Sequence, residues 1–244
     1  NSDITKINNK FNNKEINNYN DYELNDFSYE EALEKDKRSY LQYYFSLLRI
    51  KHLLIFTFYT NTDYNSKIIK ISLFLFSFAL FYTINALFFD DSALHKIYIN
   101  KGSVHIIFQI IQAFYSSIIS SFISLLIKYL SLSEKSIIQI KKERNNIKDK
   151  GEKTLKCLLI KFIFYYVLIF LFLFFFWYYI SCFGAVYRNT QMFLLKDTLT
   201  SFGLSLLYPF GISLIPGVFR IISLKSSKKD SICLYEFSKL LQIL

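Results

Sequence analysis

The residues of this chain with catalytic or metal-binding side chains are few and poorly spaced for either role. Asp90, Asp91, His95 and His105 gather in one short polar stretch. Metal binding needs ligands that converge at defined geometry. These four match no such spacing, and solvated charges at helix ends account for them. A Ser-His-Asp set can be nominated in almost any serine-rich chain. Here no GxSxG, HExxH or phosphate-loop pattern supports one. Cys157, Cys182 and Cys233 are odd in number and far apart, with no CxxC pair, so zinc and dithiol redox chemistry have no framework. Cys157 stands beside lysines and is open to palmitoylation or to a role as an inert thiol. The sequence therefore implies no enzyme, no cofactor, no metal and no small-molecule substrate.

More informative are polar residues inside apolar runs. Ser116, Ser117, Ser120, Ser121 and Ser124 lie in the run VHIIFQIIQAFYSSIISSFISLLI. Positions 116, 120 and 124 share one helical face, with 117 and 121 beside them. Small hydroxyl residues let helices approach closely in lipid and hydrogen-bond across the contact. The expected use is helix packing, against the third span or a partner; the sharper alternative is a polar pore lining that also uses Gln109. A second constellation is Pro209, Gly211, Pro216 and Gly217. Proline removes a backbone donor and kinks a helix. Such breaks serve as plain kinks or, in transporters, present freed carbonyls to ions; the plain kink is preferred here.

These residues need long apolar helices to hold them. Phe162 to Cys182 reads FIFYYVLIFLFLFFFWYYISC, without charge, proline or glycine. A helix of about 20 apolar residues crosses a bilayer core. Lysines flank one end, and Trp177, Tyr178 and Tyr179 lie toward the other, where amphipathic rings favour headgroups. Three more runs qualify, so spans are expected at about 68–89, 104–127, 162–182 and 199–224. The chain is 52% hydrophobic and has only six Gly and two Pro among 244 residues, which favours helix over a turn-rich β architecture. The fold class is all-α: a polytopic membrane protein with four transmembrane helices plus an amphipathic interfacial helix.

The remaining segments follow from composition. Residues 1–27 are Asn-rich and polar, which predicts a disordered or partner-bound segment. Residues 28–60 are expected to form the interfacial helix, opened by a capping box of Ser28 and Glu31. It would turn Leu41, Tyr44, Phe45 and Leu48 to lipid or to the bundle, with Arg49 and Lys51 reaching headgroups or water. Residues 61–224 form the transmembrane domain. Its basic segment 128–156 carries Lys141, Lys142, Arg144 and Lys156. A helix there is expected to end at Gly151, and a polar connector is expected from Tyr187 to Asp197. Residues 225–244 read as a basic cytoplasmic tail.

The formal net charge is +10. The basic segment lacks interleaved aromatics and lies between two spans, so anionic lipid is the expected partner and nucleic acid is not. Lys and Arg are dense before the first span, between spans two and three and after the fourth. The other two connectors carry only Lys96 and Lys101, and Arg188 and Lys196. This bias predicts four spans with both termini cytoplasmic. Asn1 is not Met and no signal-peptide pattern follows, so the chain is expected to belong to a longer polypeptide.

The run CFGAVYRNTQMFLLKDTLTSFGLSLLYPFGISLIPGVFRI resembles a multi-pass segment near the C-termini of large protist membrane proteins. YEEALEKDKRSYLQYYFSLLRIKHLLIFTFY and NTDYNSKIIKISLFLFSFALFYTINALFF are similar to the same segment. The resemblance covers most of the chain from Ser28 onward. It implies a membrane-embedded module attached to something larger and transfers no catalytic residue. The expected function is anchoring or assembly within a larger membrane protein complex, with other membrane subunits or the rest of a longer polypeptide as partners. A small channel or transporter subunit is the alternative. A plasma or ciliary membrane is the expected setting.

Overall fold

The computed structural model describes residues 19–60, 63–89, 95, 99, 106–142, 147–225 and 231–242, with side chains omitted at 106–113, 142 and 147–150. Among the described residues all regular structure is helical. Four helical stretches are long and apolar enough to cross a membrane: Lys67–Leu87, Phe114–Ser131, Gly151–Val186 and Gln191–Lys225. The chain divides into two compact units. One runs from Asn65 to Tyr208; the other joins the segment up to Tyr64 with that from Pro209 onward.

The apolar unit contains α4 (Lys67–Leu87), α5 (Ile106–Ser131), the short α6 (Glu134–Lys142), α7 (Ile147–Val186) and most of α8 (Gln191–Ile212). The most hydrophobic helix is not the central one. In α4, 56% of the apolar window is buried inside the protein, against 11% in α7. A helix surrounded by lipid must be apolar on every face, whereas a helix surrounded by other helices can carry polar residues. Accordingly α4 buries Ser77, Thr83 and Asn85, and α5, α7 and α8 all meet it. Phe76 meets Phe172 of α7 edge-on and Phe176 at a tilt, and Tyr165 of α7 donates to Ser72 Oγ at 2.9 Å. Phe202 of α8 is ringed by Phe74, Phe78 and Phe81.

Two expected boundaries move. Gly151 does not end a helix; α7 runs through it for 40 residues, roughly 60 Å at 1.5 Å per residue. A helical glycine costs only about 1 kcal/mol relative to alanine, too little to stop so long an apolar helix. The break falls earlier, at Leu132 and Ser133, where Asn65 Oδ1 accepts from the Ser133 amide at 3.0 Å. The connector expected over 187–197 shrinks to a tight turn before Gln191. There Asn189 adopts a positive φ of 64° and Thr190 Oγ1 bonds back to the Tyr187 carbonyl. Asparagine tolerates that left-handed conformation.

The second unit corrects three further expectations. Residues 19–27, expected within a disordered or partner-bound segment, are ordered against other parts of this unit. Asn20 caps α1 (Asp21–Asp26) in a capping box with Glu23, and Leu24 and Phe27 enter a core with Ala32 and Tyr235. Residues 28–60 are not one helix. The Ser28–Glu31 box forms and opens α2 (Tyr29–Lys35), but a second box of Ser39 and Gln42 opens α3 (Tyr40–Lys51). Two N-caps eleven residues apart cannot share one continuous helix, because an N-cap residue is non-helical; Ser39 has ψ 166°. After α3, His52 ends the helix and a π-helical turn spans Ile55–Tyr59. Part of the stretch expected as a basic tail is also packed in this unit. Helix α10 (Ser231–Leu241) packs on α2 and on α9 (Leu214–Lys225) through buried Tyr235.

The expected apolar face of α3 is divided between the surface and the core. It buries Tyr43, Ser46, Leu47 and Leu48, while Leu41 and Phe45 stay exposed. The stretch 199–224 is likewise not one helix: α8 ends at Ile212 and α9 begins at Leu214.

Candidate functional site

Asn85 sits near the end of α4 and is completely buried. A carboxamide offers two donor hydrogens and an acceptor oxygen with two lone pairs. Its Nδ2 donates to Ser201 Oγ at 2.6 Å and to Thr198 Oγ1 at 3.3 Å. Its Oδ1 accepts from Ser116 Oγ at 2.8 Å. Thr198 and Ser201 are three residues apart on one face of α8. One amide thus ties α4 to α5 and to α8. The cluster carries no charge and no activated nucleophile, so its chemistry is that of a register pin in an apolar setting.

The five serines of α5 do not behave alike. Ser116 and Ser120 are buried, Ser117 and Ser124 half-buried, and Ser121 exposed. Ser116 bonds to the first apolar helix, because Asn85 supplies the acceptor, and α5 also packs against α7. Ser120 Oγ is buried and has no hydrogen-bond partner among the described residues.

The proline and glycine residues surround the α8–α9 break. Pro209 lies inside α8, and its carbonyl accepts from the Ser213 amide at 3.1 Å. Two tyrosines of α3 donate to carbonyls here: Tyr44 to Phe210 O at 3.1 Å and Tyr40 to Leu214 O at 3.2 Å. Side-chain hydroxyls therefore occupy acceptors that a transporter would present to an ion. Pro216 and Gly217 are buried, whereas Gly211 is exposed with open space around it. A Cβ at Gly217 would lie 2.9 Å from Tyr40 Cε2, so glycine sets how closely α3 and α9 approach.

The most highly charged buried cluster is centred on Arg220 of α9, which has no exposed surface. Its Nη2 donates to Asp36 Oδ2 and to the Leu24 carbonyl, both at 2.8 Å. Arg38 meets the same carboxylate through Nε and Nη2 at 2.7 and 2.8 Å, and reaches Ser46 and Asn25 at 2.9 Å each. The Arg220 guanidinium lies between the rings of Tyr43 and Tyr235, at 5.0 and 4.8 Å from their centroids. Such cation–π contacts strengthen on desolvation. Burial pushes the Asp36 carboxyl upward, but Arg38 first and Arg220 second outweigh it and hold its pKa below the usual value. Burial pushes both Tyr43 and Tyr235 up to about 12.

The residues expected at headgroups are scattered. Arg49 pairs with Asp21 at 2.9 Å on the surface, and Lys51 Nζ donates to the Leu241 carbonyl at 3.4 Å. Lys141 and Lys156 are exposed. The Lys142 side chain, Arg144, Asp90, Asp91 and His105 lie outside the described residues. Asn85, Asp36, Arg38 and Arg220 escaped the sequence reading. For Asn85 and Arg220 the signal available was a lone amide or charge inside an otherwise apolar run, which is costly unless partnered; Asp36 and Arg38 lie in the charged stretch LEKDKRSY, which gives no such signal. Compared with family models, curated proteins and solved structures, the chain matches none.

Proposed function

We propose that this chain is a membrane anchoring or assembly module of a larger membrane protein complex. The carrying observation is the Asn85 cluster. The amide and hydroxyl groups of Asn85, Ser116, Thr198 and Ser201 are spent on one another, while α5 and α7 display bulky apolar side chains outward. An anchor needs this combination: satisfied polar groups inside and lipid-compatible surface outside. Both termini lie on the cytoplasmic side of a plasma or ciliary membrane. The charge alternation supports this, and so does the packing of α2 and α3 with α9 and α10, since segments from the two ends of the chain that share one core must share one side. The partners are lipid and either other membrane subunits or the remainder of a longer polypeptide, as in the protist membrane proteins that the sequence resembles.

The test is purification from native membranes in mild detergent, followed by reconstitution. A particle larger than the chain, with companions in fixed ratio and no ion flux in liposomes, is the expected result. Flux through the purified chain that is lost on Asn85→Leu would make it a channel or transporter subunit instead.

A further inference from the structure

Inside the apolar unit, one end of α4, α5 and α7 meets at the break after α5. Asn65, two residues before α4, accepts there from the Ser133 amide. Lys161 of α7 donates from Nζ to the Leu132 carbonyl at 3.3 Å. The uncharged run of α7 starts at the next residue, Phe162, so Lys161 marks its boundary with the basic segment. The same ammonium lies 5.0 Å from the centroid of the Tyr129 ring on α5. Lys135, in the first turn of α6, is exposed and close enough for its charge to act on Lys161.

These two cations lack a neutralising carboxylate. Among the described residues neither Lys161 nor Lys135 forms an ion pair. Glu134 is adjacent in sequence, but it is buried and its Oε1 accepts from Asn65 Nδ2 at 3.0 Å. The Leu132 carbonyl takes one of the three hydrogens of the Lys161 ammonium and leaves its charge half-exposed. Apolar surface lies one turn deeper on both helices. Phe164 follows Lys161 by three residues, and Leu125 precedes Tyr129 by four, so each shares a face with its partner. Leu125, Tyr129 and Phe164 are all exposed.

We infer that the corner where α5, α6 and α7 meet binds one anionic phospholipid, its headgroup phosphate on Lys161 and Lys135 and its acyl chains along Leu125, Tyr129 and Phe164. Charge complementarity selects an anion, and the apolar surface beside the two lysines selects one that carries hydrocarbon. Basic pockets between the ends of membrane helices take such headgroups. The site differs from diffuse attraction along residues 128–156, because it fixes one lipid at named residues. This inference rests on the anchoring reading, specifically on α5 and α7 lying in a bilayer.

The experiment is native mass spectrometry of the full chain in mild detergent, titrated with phosphatidylserine or with phosphatidylcholine. The expected result is one retained phosphatidylserine per chain, with retention weakened about fivefold by Lys161→Gln and by Lys135→Gln, the effect of one lysine charge at a headgroup. Lys161→Arg should restore it. Lys153→Gln removes the same charge from an exposed position eight residues earlier on α7 and should leave retention unchanged. Lys135 is exposed, so its variant remains informative if Lys161→Gln disturbs the fold. Equal weakening by all three glutamine variants would mean diffuse attraction and overturns the site. Equal retention of phosphatidylcholine also overturns it, as does displacement of the lipid by glycerol phosphate, which would make the ligand a soluble anion. A chain that stays in native membranes through an alkaline carbonate wash but retains no phosphatidylserine defeats this inference alone. Release of the chain by that wash would instead sink the anchoring reading.

Discussion

Arg220 and Asp36 meet across 184 positions of sequence, Nη2 to Oδ2 at 2.8 Å, and fasten the C-terminal helices to the N-terminal ones. The carboxylate serves two guanidiniums, so the two partners are not equivalent. Asp36→Ala leaves Arg220 buried without its counter-ion, a loss of about 3–5 kcal/mol. Arg220→Met leaves Asp36 still paired with Arg38 and fills the space between two tyrosine rings with an apolar chain; a smaller loss of roughly 1–2 kcal/mol is expected. Limited proteolysis of the detergent-solubilised chain checks this. Cleavage between residues 28 and 60 should accelerate far more in Asp36→Ala than in Arg220→Met, and equal rates would refute the shared-carboxylate account.

The same cluster sets a pH window. The folded-state pKa of Asp36 is lowered below 3.8. Its contribution is therefore complete above that value and is lost as pH falls through the folded pKa. Tyr43 and Tyr235 are raised from 10.0 to about 12. Their contribution is complete below pH 10 and disappears as pH rises toward 12, on the order of 2 kcal/mol each. Stability of this unit should thus be flat across the neutral range and fall at both extremes. Asp36→Asn should remove the acid dependence of this cluster while leaving the alkaline one, read from intrinsic fluorescence during denaturant titrations at each pH.

Gly217 and Gly211 form a natural control pair. Alanine at 217 would press on the Tyr40 ring, which is tethered through its hydroxyl to the Leu214 carbonyl, and would stand 3.4 Å from Tyr43 Cδ1. Overpacking costs about 1–3 kcal/mol, against about 1 kcal/mol gained in helix propensity. Net destabilisation is expected for Gly217→Ala, relieved when Tyr40→Leu is added. Gly211→Ala has nothing within 4 Å and should be neutral or stabilising. Thermal melts of the three variants decide it, and a stabilised Gly217→Ala would mean that the helices are less closely opposed.

The four long apolar helices were legible in the sequence because a continuous apolar run has few other uses. The first was expected at 68–89 and is observed at Lys67–Leu87. The Ser28–Glu31 capping box was legible because both partners lie within one turn. The charged cluster was not legible, because periodicity reports neighbours along a helix and not a partner 184 residues away. Nor was the buried face of α3. Leu41, Tyr44, Phe45 and Leu48 made the more apolar stripe by composition, yet only Leu48 of them is buried, and Tyr43 and Ser46 are buried beside it because Arg38, Arg220 and Asn25 converge on them. Apolar composition made 162–182 the clearest span but does not say which helix the others surround. The helix that occupies the centre is the one that can carry an asparagine.

That asparagine carries the last prediction. Asn85→Leu removes the acceptor of Ser116 and the donor to Thr198 and Ser201, and places a branched side chain where three helices meet. The hydroxyls are not stranded entirely, because serine and threonine can turn back to carbonyls of their own helix, as Ser201 already does toward Thr198 O at 3.1 Å. Interhelical hydrogen bonds in lipid contribute about 0.6–2 kcal/mol each, so a total loss of roughly 1–3 kcal/mol is expected. Ser120→Leu adds bulk at a buried position whose hydroxyl has no partner among the described residues, and its cost should come from overpacking alone. Ser121→Leu, on the exposed side, should cost nothing measurable. Unfolding in mixed micelles of rising denaturing detergent ranks the three. If Ser121→Leu proves as damaging as Ser120→Leu, the outward face of α5 is covered by a partner in the assembled state. If Asn85→Leu is harmless, the amide is not what holds α4, α5 and α8 in register.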